Sequence, residues 1–345
     1  MKLRSAGIAL LVAALSMAGC GSGDNSSEAT GKPVKIKFVL TGANSLFAPF
    51  WLALERGDFT SVGLDVSYQI IPETNVPAAL TSNDAQLAHA MPLALNLANQ
   101  GKETEFIYAV VGGGAGLFAA GRPNLASLAD CEEMVGMVKG GSMYAGGVIL
   151  QNVYGAHYKV LDRYSIASLV TAAALKGEGD CMVGSYPNLS PVIDAGKMKL
   201  LVDPRKPESL PAGFPRSMTE GALVGLKSTL DKPAMKVAIP KFLQVWDRSL
   251  REMKGMSSAD VITELRKNPD FTQQPEAQQV ADFDILRGFI SPGDGYISAK
   301  SWPQTMQFFV EGGIVGGSAT DAKWSYGARV DMSFYEQAIG KPAAG

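Results

Sequence analysis

Apolar residues Val34, Ile36, Phe38 and Leu40 recur at every second position, with Lys35 and Lys37 between the first three. That period marks a strand with one buried face. Thr41-Gly42-Ala43-Asn44-Ser45 then forms a turn cluster, and Pro49 opens a helix through Trp51, Leu52 and Leu54 that stops near Gly57. The pattern continues as a strand from Leu64 to Ile71, a short helix from Val76 to Leu80 and a strand from Ala85 to Ala90. A helix from Pro92 to Asn99, closed by Gly101, leads to a fourth strand from Phe106 to Val111. The same order then repeats. Met134 to Val138 reads as a strand, Gly140-Gly141-Ser142 opens a helix ending near Tyr158, and Ser165 to Val170 reads as a strand. Thr171 to Lys176 is a short helix closed by Gly177, followed by a strand from Cys181 to Gly184, a helix from Leu189 to Ala195 and a strand from Met198 to Val202. Two successive β-α-β-α-β-α-β units predict an α/β protein of two doubly wound lobes with mostly parallel sheets.

From about Gly221 the chain is rich in helices: Ala234 to Met253, Ser258 to Lys267, Glu276 to Arg287 and Trp302 to Glu311. These are expected to clad the first lobe rather than form a third. The chain then crosses between lobes near Val111–Gly114 and near Gly221–Leu226. Lobe I is residues 34–111 and 222–345, and lobe II is residues 112–221. Sheets of this kind bind ligands outside the carboxyl ends of their strands, so two lobes side by side place a cleft between two such edges.

The N-terminus has a different character. Lys2 and Arg4 precede an apolar run from Ala6 to Gly19, shorter than the roughly 20 residues that a membrane span needs. Residues 1–19 read as a secretory signal peptide. Leu15-Ser16-Met17-Ala18-Gly19-Cys20 resembles a bacterial lipobox, with Met17 at a position where such boxes usually carry Leu. That resemblance makes Cys20 the lipidated first residue of the mature chain. Residues 20–33, polar and glycine-rich between Gly21 and Gly31, form a flexible tether. The folded part is thereby held outside the cell membrane by the lipid on Cys20.

Composition narrows the partners. Hydrophobic residues make up 46% and charged residues 19%, enough for a substantial core. The formal net charge is -2 with no long basic block, which argues against nucleic acid. Cys131 and Cys181 are either a disulfide or two buried thiols. Cys131 precedes the first strand of lobe II and Cys181 opens its third; in a 2-1-3 order those strands are neighbours, which favours the bond and places it away from the cleft.

The stretch Phe47-Ala48-Pro49-Phe50-Trp51-Leu52-Ala53-Leu54-Glu55-Arg56-Gly57-Asp58-Phe59, followed by Val62-Gly63-Leu64-Asp65-Val66, resembles the extracytoplasmic solute-binding proteins of ABC importers. The likeness is to the branch that binds nitrate, sulfonates, taurine and thiamine-pyrimidine precursors. Ser127-Leu128-Ala129-Asp130, Gly141-Ser142, Lys176-Gly177-Glu178-Gly179-Asp180 and Ser333-Phe334-Tyr335-Glu336-Gln337-Ala338 extend it over most of the mature chain. Two departures concern the ligand rather than the fold. Cys131-Glu132-Glu133 replaces a Leu-Lys-Gly-Lys turn, and Ser185-Tyr186-Pro187 stands where an aromatic-acidic-Pro triplet is usual. The resemblance implies a periplasmic-binding-protein type II fold and a monomeric receptor that delivers a small molecule to a permease and its ATPase.

Candidate binding residues follow the strand ends. Gly141 and Ser142, at a helix start, suit an oxyanion, although a plain serine N-cap is the alternative. Gly42, Ala43, Asn44 and Ser45 hold the equivalent place in lobe I, with Phe47 beside them; Asn75, Met91, Tyr144, Ser185, Tyr186 and Asn188 complete the set. With no Arg at these ends, the expected ligand is a singly charged carboxylate or sulfonate, or a neutral molecule, with an apolar or aromatic body. No cofactor or metal is expected: His89 and His157 are the only histidines and are assigned to core or surface. Gly114-x-Gly116-x-x-Ala119 mimics a dinucleotide fingerprint, but Gly121 and Pro123 interrupt the helix it requires. No His-Glu-x-x-His or Gly-x-Ser-x-Gly motif occurs, so the reading is not an enzyme. The alternative is an enzyme resembling a pyrimidine-precursor synthase, or a ligand sensor, on the same fold.

Overall fold

The alternating segment at residue 34 becomes β1 (Val34–Leu40), joined in one sheet by β2 (Leu64–Ile70), β3 (Leu87–His89) and β4 (Thr104–Gly112). A second sheet holds β5 (Phe118–Gly121), β6 (Glu133–Met137), β7 (Lys159–Tyr164), β8 (Cys181–Gly184) and β9 (Lys199–Val202). The chain then returns, and β10 (Thr219–Leu226) enters the first sheet. The structure, a computed structural model, describes residues 32–139, 141–210, 218–292 and 294–340, without the side chains of Ser142 and Pro207. The signal peptide, Cys20, most of the tether and the Ser142 hydroxyl lie outside the described residues.

The strand orders are β2-β1-β3-β10-β4 and β7-β6-β8-β5-β9. Each sheet begins with the expected parallel 2-1-3 trio, β1 pairing with β2 and β3, and β6 with β7 and β8. The fourth strand of each is antiparallel to both neighbours: β10 between β3 and β4, β5 between β8 and β9. Both antiparallel strands are segments in which the chain passes from one sheet to the other. Sequence periodicity assigned neither as a strand. Phe118-Ala119-Ala120-Gly121 is buried on both faces and lacks alternation, and β10 carries two glycines and three register shifts. Gly221 is glycine because the His89 ring crosses it: a Cβ there would stand 2.2 Å from Nε2.

Two expectations in the second half are corrected. The helix expected to end near Tyr158 is Ser142–Tyr154, stopped by Gly155 at φ 61°, a conformation glycine adopts without strain. The strand expected over Ser165–Val170 lies earlier, at β7, and residues 167–175 are helical (Ala167–Leu175). The alanine-rich run favours a helix over the β-branched residues within it. β7 escaped notice because it is an edge strand whose outward positions are polar.

The helix Ala48–Glu55 and the long helix Pro233–Gly255 pack on β1 through an aromatic cluster. Phe38 lies 4.9 Å from Phe50 and 5.8 Å from Trp246, and Phe59 stacks on Phe242 at 4.9 Å. Such pairs contribute about 0.5–1.5 kcal/mol each beyond area burial. The later helices reach further than expected. Ser190 in the helix Tyr186–Asp194 donates to Asp282 in the helix Glu276–Leu286 at 2.8 Å, and Asn152 donates to the Glu311 carbonyl at 2.6 Å. The C-terminal helices therefore also brace the second half of the chain. No described helix is long and apolar enough to cross a membrane.

Cys131 and Cys181 form a disulfide spanning 50 residues, with both side chains buried. It clamps the amino ends of β6 and β8, where Asp180 also accepts from the backbone N–H groups of Glu132 and Glu133. Cross-linking a loop of that length stabilises by about 2–4 kcal/mol. The double substitution Cys131→Ala, Cys181→Ala is expected to lower stability by about that amount in denaturant unfolding. Ligand affinity should be unchanged, because neither residue reaches the cavity described below. A loss under about 0.5 kcal/mol would show that the bond does not constrain the unfolded chain.

Candidate functional site

A cavity of about 540 Å3 lies at the carboxyl ends of the strands, with walls from both sheets. The residues after β1 form one wall. Asn44 caps the turn that follows, its side chain accepting from the Leu46 N–H at 2.9 Å, and so orients Gly42, Ala43, Asn44 and Ser45 toward the cavity with Phe47 alongside. Met91 comes from the helix start after β3. Across from them stand Ser185 and Asn188 after β8, tied together by the Asn188 amide donating to Ser185 Oγ at 3.0 Å.

Four other expected residues stand elsewhere. Asn75 is exposed, and Glu73, two residues earlier in the same turn, lines the cavity instead. Tyr144 is half-buried off the wall while its neighbour Met143 faces in. Tyr186 packs edge-on against Phe118 at 5.5 Å, and burial raises its phenol above the ordinary range. Gly141 is buried behind the wall against Glu73, where a Cβ would lie 2.5 Å from the Glu73 Oε2.

The sequence missed the acidic part of the wall. Glu73, Glu220, Asp270 and Asp282 all line the cavity, and no lysine or arginine does among the described residues. Glu220 lies near the start of β10. Its Oε1 accepts from the Gly116 N–H at 2.8 Å, and the backbone N–H groups of Ala115 and Gly114 also favour its charge. Burial outweighs them and lifts the carboxyl to about 7, while Oε2 is shielded and without a protein partner. A Cβ at Gly116 would stand 2.5 Å from Oε1 and displace the carboxyl from this contact. Asp282 is buried, its carboxylate held by Ser190 and Gln278, and burial raises it above the ordinary range. Asp270 accepts from the Tyr68 hydroxyl at 2.9 Å at the rim.

His89, assigned to core or surface from the sequence, also lines the cavity. Phe47 meets its ring edge-on at 4.6 Å, and its Nε2 is buried without a partner. Desolvation lowers it to about 4, so the imidazole is neutral at neutral pH. Glu73 was within reach of the strand-end rule that chose Asn75. Glu220 was not, because β10 was unrecognised. Asp270 and Asp282 come from the C-terminal helical region, where no strand-end rule applies. The one triad of metal-type side chains within reach of each other, among the described residues, is Cys131, Asp180 and Cys181, whose sulfurs are bonded together.

With this geometry the chain can be set beside known proteins. No protein-family model matches it, and no curated protein matches it. Among solved structures, it is similar to a protein from Bordetella bronchiseptica RB50, with 17% identity, a TM-score of 0.74 and coverage of 90% of this chain and 98% of that one. It is similar to the alkanesulfonate-binding protein SsuA of Xanthomonas axonopodis pv. citri, solved with MOPS, at 14% identity and a TM-score of 0.63, covering 84% and 96%. It is also similar to a Candida albicans protein described as having the generic periplasmic binding protein fold, at 11% identity and a TM-score of 0.63, covering 87% and 96%. At these identities the likeness shows the fold. The chain has the two-sheet architecture of periplasmic binding proteins, the class its sequence pattern resembles.

Two buried groups on the wall give opposite pH responses. Glu220, raised from 4.5 to about 7, holds its proton more tightly when folded, so its contribution to stability declines as pH rises between those values. His89, lowered from 6.5 to about 4, contributes stability that is lost as pH falls through that window. Each effect is on the order of 3 kcal/mol and they largely cancel between about pH 4.5 and 6.5. Glu220→Gln should therefore become more acid-sensitive than the wild type, and His89→Gln should lose stability on going from about pH 5 to 7. Thermal denaturation across that range decides; two variants that track the wild-type profile would show that neither group is buried as described.

Proposed function

We propose that this chain is an extracytoplasmic receptor that captures a small organic solute between two lobes and delivers it to an ABC permease with its ATPase. The cavity carries this reading: its volume lies within the roughly 300–1,000 Å3 of small-molecule sites, and its walls come from the strand ends of both sheets. Lobe I comprises residues 34–111 and 222–345, and lobe II residues 112–221. A ligand touching both walls favours the closed arrangement by its differential affinity, and a shift from mostly open to mostly closed requires about 5.5 kcal/mol. The outward crossover is suited to a hinge, with positive φ at Gly113 (70°) and Gly114 (92°). Cys20, lipidated, keeps the receptor, a monomer, at the membrane beside its permease.

Native mass spectrometry of the protein as purified is expected to show one bound small molecule, released unchanged. Ala43→Trp, which fills the cavity from an open loop, should weaken binding by at least about tenfold, whereas Tyr186→Phe should not. A chemically altered product, or full affinity in Ala43→Trp, would remove the receptor reading. Cys20→Ser should move the protein from the membrane to the soluble fraction with binding intact; continued membrane association would refute lipidation at Cys20.

A further inference from the structure

We propose that the cavity binds a small organic cation, an ammonium or amidinium group on an apolar body, and rejects oxyanions such as sulfonates. The inference rests on the receptor reading and names its ligand class. Its first support lies at the start of the helix Ser142–Tyr154, the place where the sequence seats a ligand's oxyanion. A helix N-terminus carries partial positive charge and attracts an anion. The chain brings its own: Glu73, buried, sets Oε2 against Gly141, the residue before the helix. A sulfonate arriving there finds the place beside the helix start already taken by the Glu73 carboxyl.

The second support is independent of Glu73. Glu220 lines the cavity, directs one oxygen at the Gly116 N–H and leaves Oε2 shielded and without a protein partner. A buried acceptor with no donor is unfavourable, and a ligand N–H satisfies it. A charged donor does so more strongly than a neutral one. Burial holds the Glu220 carboxyl up at about 7, and a cation beside it would favour the ionised form. Asp270 and Asp282 add to the negative potential of a wall that has no basic side chain among the described residues.

The rest of the lining determines what kind of cation fits. Phe47, Met91, Met137 and Met143 cover much of the cavity with apolar and polarisable surface. A bare metal ion needs six to eight oxygens at about 2.3–2.6 Å, or a tight tetrahedral set, which a cavity of about 540 Å3 lined by five methionine and phenylalanine side chains does not offer. An organic cation uses both halves of such a wall.

The test employs probes that share a body and differ in charge: benzylamine and benzamidine against benzenesulfonate and benzoate, with benzyl alcohol as the neutral member. Each is titrated into the full-length protein at about pH 8, where Glu220 is ionised, and followed by calorimetry and thermal shift. The expected result is binding of the two cations, with both anions at least about tenfold weaker. That preference should shrink in Glu220→Gln and, in a separate protein, Glu73→Gln. Tighter binding of either anion, equal binding of benzyl alcohol, or a preference unchanged in both variants overturns the ligand class while the receptor reading stands. If no probe binds and native mass spectrometry finds no bound small molecule, the receptor reading fails and the ligand class fails with it.

Discussion

One carboxylate joins the two places where the chain crosses between its sheets. Glu220 stands on the return crossing, and the N–H groups that steady it, Gly114 to Gly116, stand on the outward one. Burying a carboxyl among apolar neighbours is unfavourable by several kcal/mol unless its oxygens are satisfied. Here the backbone satisfies one oxygen, in a close approach that a Cβ at Gly116 would displace. That contact joins the residue two before β5 to the second residue of β10. Those strands set the antiparallel fourth position in each sheet, and the two sheets set the walls of the cavity. The second oxygen is left for whatever enters.

Local rules found the parts of this fold whose side chains see one face of a sheet or helix. Val34 to Leu40, the 2-1-3 trio of the first sheet, the disulfide between neighbouring strand ends and the helix Trp302–Glu311 were all legible for that reason. β5 and β10 were not, because a strand buried on both faces has no alternation, and glycine weakens any strand signal. The shift of β7 has the opposite origin: an edge strand needs little hydrophobicity, so its polar sequence resembled a loop.

The candidate site divides along the same line. The strand-end rule reached the Gly42–Ser45 loop, Phe47, Met91, Ser185 and Asn188, all of which face the cavity. At two turns it selected Asn75 and Tyr144, whereas Glu73 and Met143 line the cavity, because rotation within a helical turn is set by packing partners far away in sequence. The charge of the site was the larger omission. A helix N-terminus read in isolation suggests an anion from solution, yet tertiary structure had already brought Glu73 to it. The architecture is shared with a sulfonate-binding protein, while the cavity wall of this chain carries Glu73, Glu220, Asp270 and Asp282.

A crystal structure of the full-length protein, grown as purified without added ligand analogues, tests the central claim most directly. The account predicts density for one small organic molecule in the cavity, touching residues of both sheets and donating a hydrogen bond to Glu220 Oε2. Density showing only water there, or a molecule held by one sheet alone, would contradict it.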